Sequence, residues 1–99
     1  MAYEFHPDAE RELEDATAFY DSISLELGNG FITEVELTIN RIEQYPEAWS
    51  QLSNNIRRCR IASFPYGIVY SNIEEKIFII AVMHLQRKPN YWSDRISQE

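Results

Sequence analysis

The side chains best suited to chemistry in this sequence lie in its second half. Arg58 and Arg60 are two positions apart, the spacing that puts both on one face of a strand. His84 closes a later apolar run, Arg87 and Lys88 follow it directly, and Tyr91, Trp92 and Arg95 come soon after. Gathered at one end of a sheet, these groups would form a basic patch edged by aromatic rings. Guanidinium forks suit phosphate or carboxylate. An imidazole whose ordinary pKa lies near neutrality can act as a general acid, and a tyrosine ring can stack on a base or brace a phosphate. Arg58, Arg60, His84, Arg87 and Tyr91 would together suffice for metal-free RNA cleavage, in which a 2′-hydroxyl attacks the adjacent phosphate and cations stabilise the developing charge. Each also has a plainer reading. A strand-end histidine can be a hydrogen-bonded structural residue, arginines on an open strand face can simply solubilise, and Tyr91-Trp92 can be a packing clasp.

Other site chemistries find no support. Three glycines leave no Gly-rich phosphate loop, and no CxxC, HExxH or GxSxG pattern occurs. Two histidines and one cysteine make a poor metal set, so neither metal nor cofactor is expected. A single thiol, Cys59, cannot form an internal bridge, which suits a reducing, cytoplasmic setting. The start of the chain lacks the basic-then-apolar pattern of a signal peptide. The longest apolar stretch, Ile77–Met83, is far too short to cross a bilayer, so no membrane partner is expected.

The elements that must position these residues can be read from periodicity. Tyr3–His6 alternates and predicts a short strand. Pro7 suits a first helical position, with Asp8 and Glu10 near the positive end of the helix dipole. Ala9, Leu13, Ala16, Tyr20, Ile23 and Leu27 form one helical stripe, from which Glu12, Asp15 and Glu26 fall away. Gly28-Asn29-Gly30 reads as a helix stop. Phe31, Val35, Ile39, Ile42 and Tyr45 form a second stripe that Pro46 ends, so a helical hairpin is expected. Residues 46–55 are turn-rich, with Trp49 and Leu52 as anchors. Then the period changes to two, and Ile56–Ala62, Gly67–Asn72 and Lys76–His84 predict three strands. The expectation is a single α+β domain over residues 1–99, ordered β-α-α-β-β-β, with a helical hairpin packed on one face of a small, mainly antiparallel sheet.

The last strand sharpens this picture. Strict alternation sends Ile77, Ile79, Ala81 and Met83 one way and Phe78, Ile80, Val82 and His84 the other, so both faces are apolar. The hairpin covers one. Either a partner chain covers the other, through Phe78, Ile80 and Val82, or Trp49, Phe64 and Tyr91-Trp92 fold over it; exposed, it would be an aggregation hazard.

Charge is unevenly placed. The net charge is −7, yet residues 56–99 carry seven basic side chains against four acidic ones, whereas residues 1–55 carry twelve acidic against two basic, Arg11 and Arg41. The second half is therefore the part fitted to meet an anion or an acidic partner.

The motifs Arg57-Arg58-Cys59-Arg60, Phe64-Pro65-Tyr66-Gly67-Ile68-Val69-Tyr70, Ile79-Ile80-Ala81-Val82-Met83-His84 and Arg87-Lys88-Pro89 with Tyr91-Trp92 stand in the order and spacing of a known family. The chain resembles the RelE/ParE superfamily of toxins from type II toxin–antitoxin systems, and the ParE-like branch most. Phe5-His6-Pro7-Asp8-Ala9 opening one helix and Tyr45-Pro46 closing the next extend the resemblance over nearly the whole chain. It implies a growth-inhibiting toxin neutralised by a cognate antitoxin, which would supply the missing cover of the sheet at Phe78, Ile80 and Val82. ParE-like members poison DNA gyrase; RelE-like members cut messenger RNA in the ribosome with strongly basic surfaces. This acidic chain, with Lys76 and Lys88 its only lysines, departs from the nuclease pattern and points to the gyrase branch. The target-binding residues expected are then Arg58, Arg60, Arg87, Lys88, Tyr91 and Trp92. Ribosome-dependent RNA cleavage, and a degenerate toxin that only binds its antitoxin, are the alternatives.

Overall fold

The structure, a computed structural model, describes residues 3–96. The chain opens with β1 (Tyr3–Phe5), followed by α1 (Pro7–Ile23) and α2 (Leu25–Gln44). Four strands follow: β2 (Ser50–Ser53), β3 (Ile56–Arg60), β4 (Tyr66–Ile73) and β5 (Lys76–His84). One mixed sheet has the order β1-β5-β4-β3-β2, parallel only where β1 meets β5. This is the expected α+β arrangement with one strand added, because the turn-rich segment before Asn54 contains the edge strand β2. Its four residues are all exposed and polar apart from Leu52, so no apolar alternation announced it.

The helices begin where local chemistry dictates. Pro7 sits in the first turn of α1, and the His6 ring caps it, its Nδ1 accepting from the Asp8 N–H at 3.0 Å. The break between the helices is not at Gly28-Asn29-Gly30, which lies inside α2. Ser24 makes the break instead: its backbone is extended, and its hydroxyl accepts from the Leu27 N–H at 3.0 Å. Gly28 is needed for proximity rather than for a turn. A Cβ at this position would collide with the carboxylate of Asp21 on α1, so glycine lets the two helices close tightly at their junction.

A core lies between the helices and the sheet, built from Phe31, Val35, Ile39 and Ile42 of α2 against Ile68, Tyr70, Ile77, Ile79 and Val82. At one end Tyr20, Phe31, Phe64 and Tyr66 form an aromatic cluster with ring centroids 4.9–6.3 Å apart. A second, smaller cluster covers the opposite face of the sheet: Ile56, Val69, Ile80, Ala81 and Met83 packed with Trp92, which is 3% exposed.

Strict alternation along β5 does not hold. Tyr70 pairs with Ile79 and Val69 with Ala81, so Ile80 is an extra residue in the ladder, a β-bulge. Before the bulge Ile77 and Ile79 face the helices; after it Val82 does, while Ala81 and Met83 join the opposite face. Phe78, Ile80 and Val82 therefore do not share a face: Val82 is buried beneath the helices, whereas Ile80, equally buried, and the partly buried Phe78 pack on the opposite face.

Candidate functional site

β1 stops pairing at Phe5, opposite Ile79, which leaves the outer edge of β5 bare from Ile80 onward. Glu12 of α1 fills that edge. Its Oε1 accepts from the Val82 N–H at 2.9 Å and from Arg95 Nη1 at 2.9 Å. Its Oε2 accepts from the Tyr91 hydroxyl at 2.7 Å and from Arg95 Nη2 at 2.8 Å. Arg95 Nη1 also donates to the carbonyl of the bulged Ile80 at 3.1 Å, and Arg95 Nε lies 3.8 Å from Asp8. The carboxylate thus ties the segment after β5 to α1 and to the sheet edge at once, a bidentate pair with extra hydrogen bonds on every side. Burial is the main cause that raises the Tyr91 phenol above its ordinary range, and the hydrogen bond to Glu12 adds to it. The guanidinium of Arg87 stacks 3.8 Å above the Tyr91 ring.

This network decides the status of several residues singled out from the sequence. Tyr91 is half-buried and its hydroxyl is engaged, so its free face is occupied by Arg87 rather than open. Trp92 is buried on the sheet face away from the helices and closes part of it. The expectation that Trp92 offers target-binding surface is corrected by its packing. Of the aromatics expected to fold over that face, Tyr91 and Trp92 do so, whereas Trp49 and Phe64 pack on the helix side. Glu12, read from its spacing as a solvated residue, is the group that sequence reasoning missed. The only available signal was indirect: Tyr91 and Arg95 bring a donor and a charge that need an acceptor.

The five residues weighed for RNA cleavage are split between two faces of the sheet. His84 pairs across the ladder with Tyr66, lies ring to ring with it at 5.1 Å, and faces the helices. Its Nδ1 accepts from the Gln86 N–H at 3.1 Å. With Glu12, Asp15, Phe19, Tyr66 and Arg87 it lines a shallow hollow of about 390 Å³. Arg58 and Arg60 share a face, as expected, but it is the opposite one; the Arg58 side chain lies across Gly67, where a Cβ would come within 3.0 Å of Arg58 Cδ. Arg57 turns to the helix side, and its Nη1 donates to the Trp49 carbonyl at 2.8 Å. Arg60, Arg87 and Lys88 are exposed. Among the described residues no ion pair engages Arg58, Arg60, Arg87 or Lys88.

Phe78 and Ile80, with Ile56 and Ile73, line a further hollow of about 650 Å³ on the face away from the helices, rimmed by Glu4 and Lys76. Trp92 closes one end of that face, and Ile96 also lines this hollow. Among the described residues no group of three or more His, Cys, Asp or Glu side chains could hold a metal ion. No helix among them is long and apolar enough to cross a membrane.

The family model described as the ParE toxin of the type II toxin–antitoxin system parDE matches residues 3–89. The chain is 29% identical over 93 residues to Toxin ParE2 from two strains of Mycobacterium tuberculosis, covering 93% of this chain and 89% of the relative. Its fold matches a chain in the solved structure of the chromosomal ParDE TA system from P. aeruginosa with a TM-score of 0.66, at 11% identity, over 85% of this chain and 95% of that one.

Proposed function

We infer, for a chain that belongs to the ParE toxin family of type II toxin–antitoxin systems, that it arrests growth by poisoning DNA gyrase and is held silent by a cognate antitoxin. The observation that carries this reading is the separation of Arg58 and Arg60 from His84, which shares its hollow with Arg87 alone among these cations. Cleaving RNA needs a base, an acid and cations around one phosphate. Here His84 lies on the helix face, Arg58 and Arg60 lie on the other, and the Tyr91 hydroxyl is bonded to Glu12. What the surface offers instead is a set of cations with no ion pair among the described residues, Arg58, Arg60, Arg87 and Lys88, on a chain whose net charge is −7. That combination suits a protein target, which local cations can engage without the whole molecule having to approach a long polyanion. Tyr91 contributes by holding Arg87 in place.

The antitoxin reading rests on the open hollow at Phe78 and Ile80. An apolar side chain or two from a partner segment seated there would bury the partly exposed Phe78, at roughly 25 cal/mol per Å² of apolar surface. Val82, under the helices, takes no part.

Induced expression in a bacterial host tests the function. Growth arrest with a DNA-damage response and intact transcripts is the expected result, reversed by co-expression of the small protein encoded beside the toxin. Transcripts cut during translation, with cutting lost in His84→Ala, would move the chain to the ribosome-dependent alternative. Harmless expression without any antitoxin would mark it as a toxin that has lost its activity.

A further inference from the structure

Beyond the end of β2, the outer edge of β3 runs on without a neighbouring strand. β2 accompanies β3 as far as Arg58, opposite Ser50. Ile61 donates its N–H to the Tyr66 carbonyl of β4 at 2.9 Å, and Cys59, opposite Ile68, is in phase with it. By the alternation of an antiparallel ladder, the N–H and carbonyl of Arg60 between them point the other way, past the end of β2, where the carbonyl accepts only a long contact of 3.9 Å from the Cys59 thiol among the described residues. An open edge of this kind is a template for another extended chain.

The groove along that edge has a volume of about 720 Å³ and is lined by Trp49, Cys59, Ile61 and Phe64 together with three guanidinium groups, Arg41, Arg58 and Arg60. Arg41 reaches it from the last turn of α2, on the helix side, close enough for its charge to act on the buried Cys59 thiol. Arg58 and Arg60 come from the opposite face of β3. None of the three is in an ion pair among the described residues. Two N–H donors of lining residues, Trp49 Nε1 and Arg58 Nε, are buried with no acceptor among the described residues. Buried donors of this kind cost stability until something accepts from them.

We propose that this edge receives an extended segment of another polypeptide carrying two consecutive acidic residues. Its backbone pairs with Arg60, one carboxylate meets Arg41 on the helix side, and the next meets Arg58 and Arg60 on the other. An extended strand sends consecutive side chains to opposite faces, which is how the three guanidiniums are arranged about the edge. A nucleic-acid strand would satisfy the cations, but it has no alternation of amide donors and acceptors to give the strand edge. The twelve acidic side chains of residues 1–55 would also repel a long polyanion. The inference does not depend on gyrase being the target, nor on the apolar hollow at Phe78 and Ile80, which lies elsewhere on the sheet.

The test is an NMR titration of the 15N-labelled chain with the peptide acetyl-Val-Thr-Glu-Glu-Val-Thr-amide. The Trp49 indole N–H, assigned with Trp49→Phe, and the Arg60 amide should shift and saturate. Exchanging both peptide glutamates for glutamine, or making Arg60→Glu in the protein, should each weaken binding at least about tenfold. Arg41→Gln gives an independent loss from the other face and serves if Arg60→Glu perturbs the fold. Unshifted Trp49 and Arg60 signals overturn the proposal. So does equal binding of the glutamine peptide, or a single-stranded octanucleotide that shifts the same signals at lower concentration than the acidic peptide.

Discussion

Replacing Glu12 by alanine removes the side chain that binds α1, the bulged edge of β5 and the C-terminal turn together. Glu12 is 17% exposed in its side chain and Arg95 14%, so the pair is largely shielded. Truncation leaves Arg95 with Asp8 at 3.8 Å and the Ile80 carbonyl at 3.1 Å, and strands the Val82 N–H and the Tyr91 hydroxyl. Breaking a fully buried ion pair by removing one member costs about 3–5 kcal/mol. The contacts that Arg95 keeps reduce that figure, and two orphaned polar groups at about 1 kcal/mol or more each restore part of it. The expected loss is about 3 kcal/mol, a large share of the roughly 5–15 kcal/mol that holds a domain of this size folded. At about 4–8 °C per kcal/mol, the melting temperature should fall by roughly 12–24 °C. Glu12→Gln keeps the shape and one acceptor and should lose about half as much. Thermal unfolding followed by far-UV circular dichroism reads the change, with tryptophan fluorescence reporting release of Trp92. Glu14→Ala, at an exposed position on the same helix, is the control. A Glu12→Ala protein as stable as that control would refute the reasoning.

Other consequences are equally direct. Trp92→Ala should cost about 3–5 kcal/mol in urea unfolding, as for a large core aromatic, rather than the near-zero effect of a surface residue. Gly30→Ala, where a Cβ meets nothing, should stabilise α2 by about 0.5–1 kcal/mol, whereas Gly28→Ala, where it would collide with Asp21, should destabilise it; comparing the two denaturation midpoints checks the sign. Glu74 and Glu75 both take positive φ, 54° and 62°, in the two-residue turn between β4 and β5, so Glu75→Gly should stabilise the fold by about 1 kcal/mol in the same measurement. Burial pushes the Tyr70 phenol, whose hydroxyl donates to the Pro46 carbonyl at 2.5 Å, from 10.0 up to about 12. The unfolded chain then gives up this proton first, so the stability contributed by Tyr70 is complete below pH 10 and drains away up to about pH 12. Stability measured against pH should show that alkaline loss, and Tyr70→Phe should flatten it in part, leaving the share of Tyr91.

The layered fold was legible because its signals are local and periodic. The stripes of α1 and α2 and the two-residue period of the last strands each follow from which face must be dry. Two errors came from features whose cause is tertiary. Gly28-Asn29-Gly30 has the composition of a helix end, but the glycine serves the approach of Asp21 across the hairpin, and Ser24 ends the first helix with a single hydroxyl. The bulge at Ile80 adds one residue to an unbroken run of apolar side chains, so no polar position marks where the faces exchange, and Val82 changes side. The basic strand face of Arg58 and Arg60 was readable from spacing alone. Its separation from His84 was not, because that depends on the same one-residue shift at the bulge. Glu12 was invisible for a different reason. Its partners lie 70 or more positions away in the chain, and no local pattern distinguishes it from the eleven other acidic residues of residues 1–55.

The most direct measurement is a DNA gyrase supercoiling assay with the purified chain. Micromolar chain should block supercoiling or accumulate cleaved DNA, Arg58→Glu combined with Arg60→Glu should abolish the effect, and His84→Ala should leave it intact. Undisturbed supercoiling at micromolar concentration, alongside messenger RNA cleavage on ribosomes that disappears in His84→Ala, would contradict gyrase poisoning.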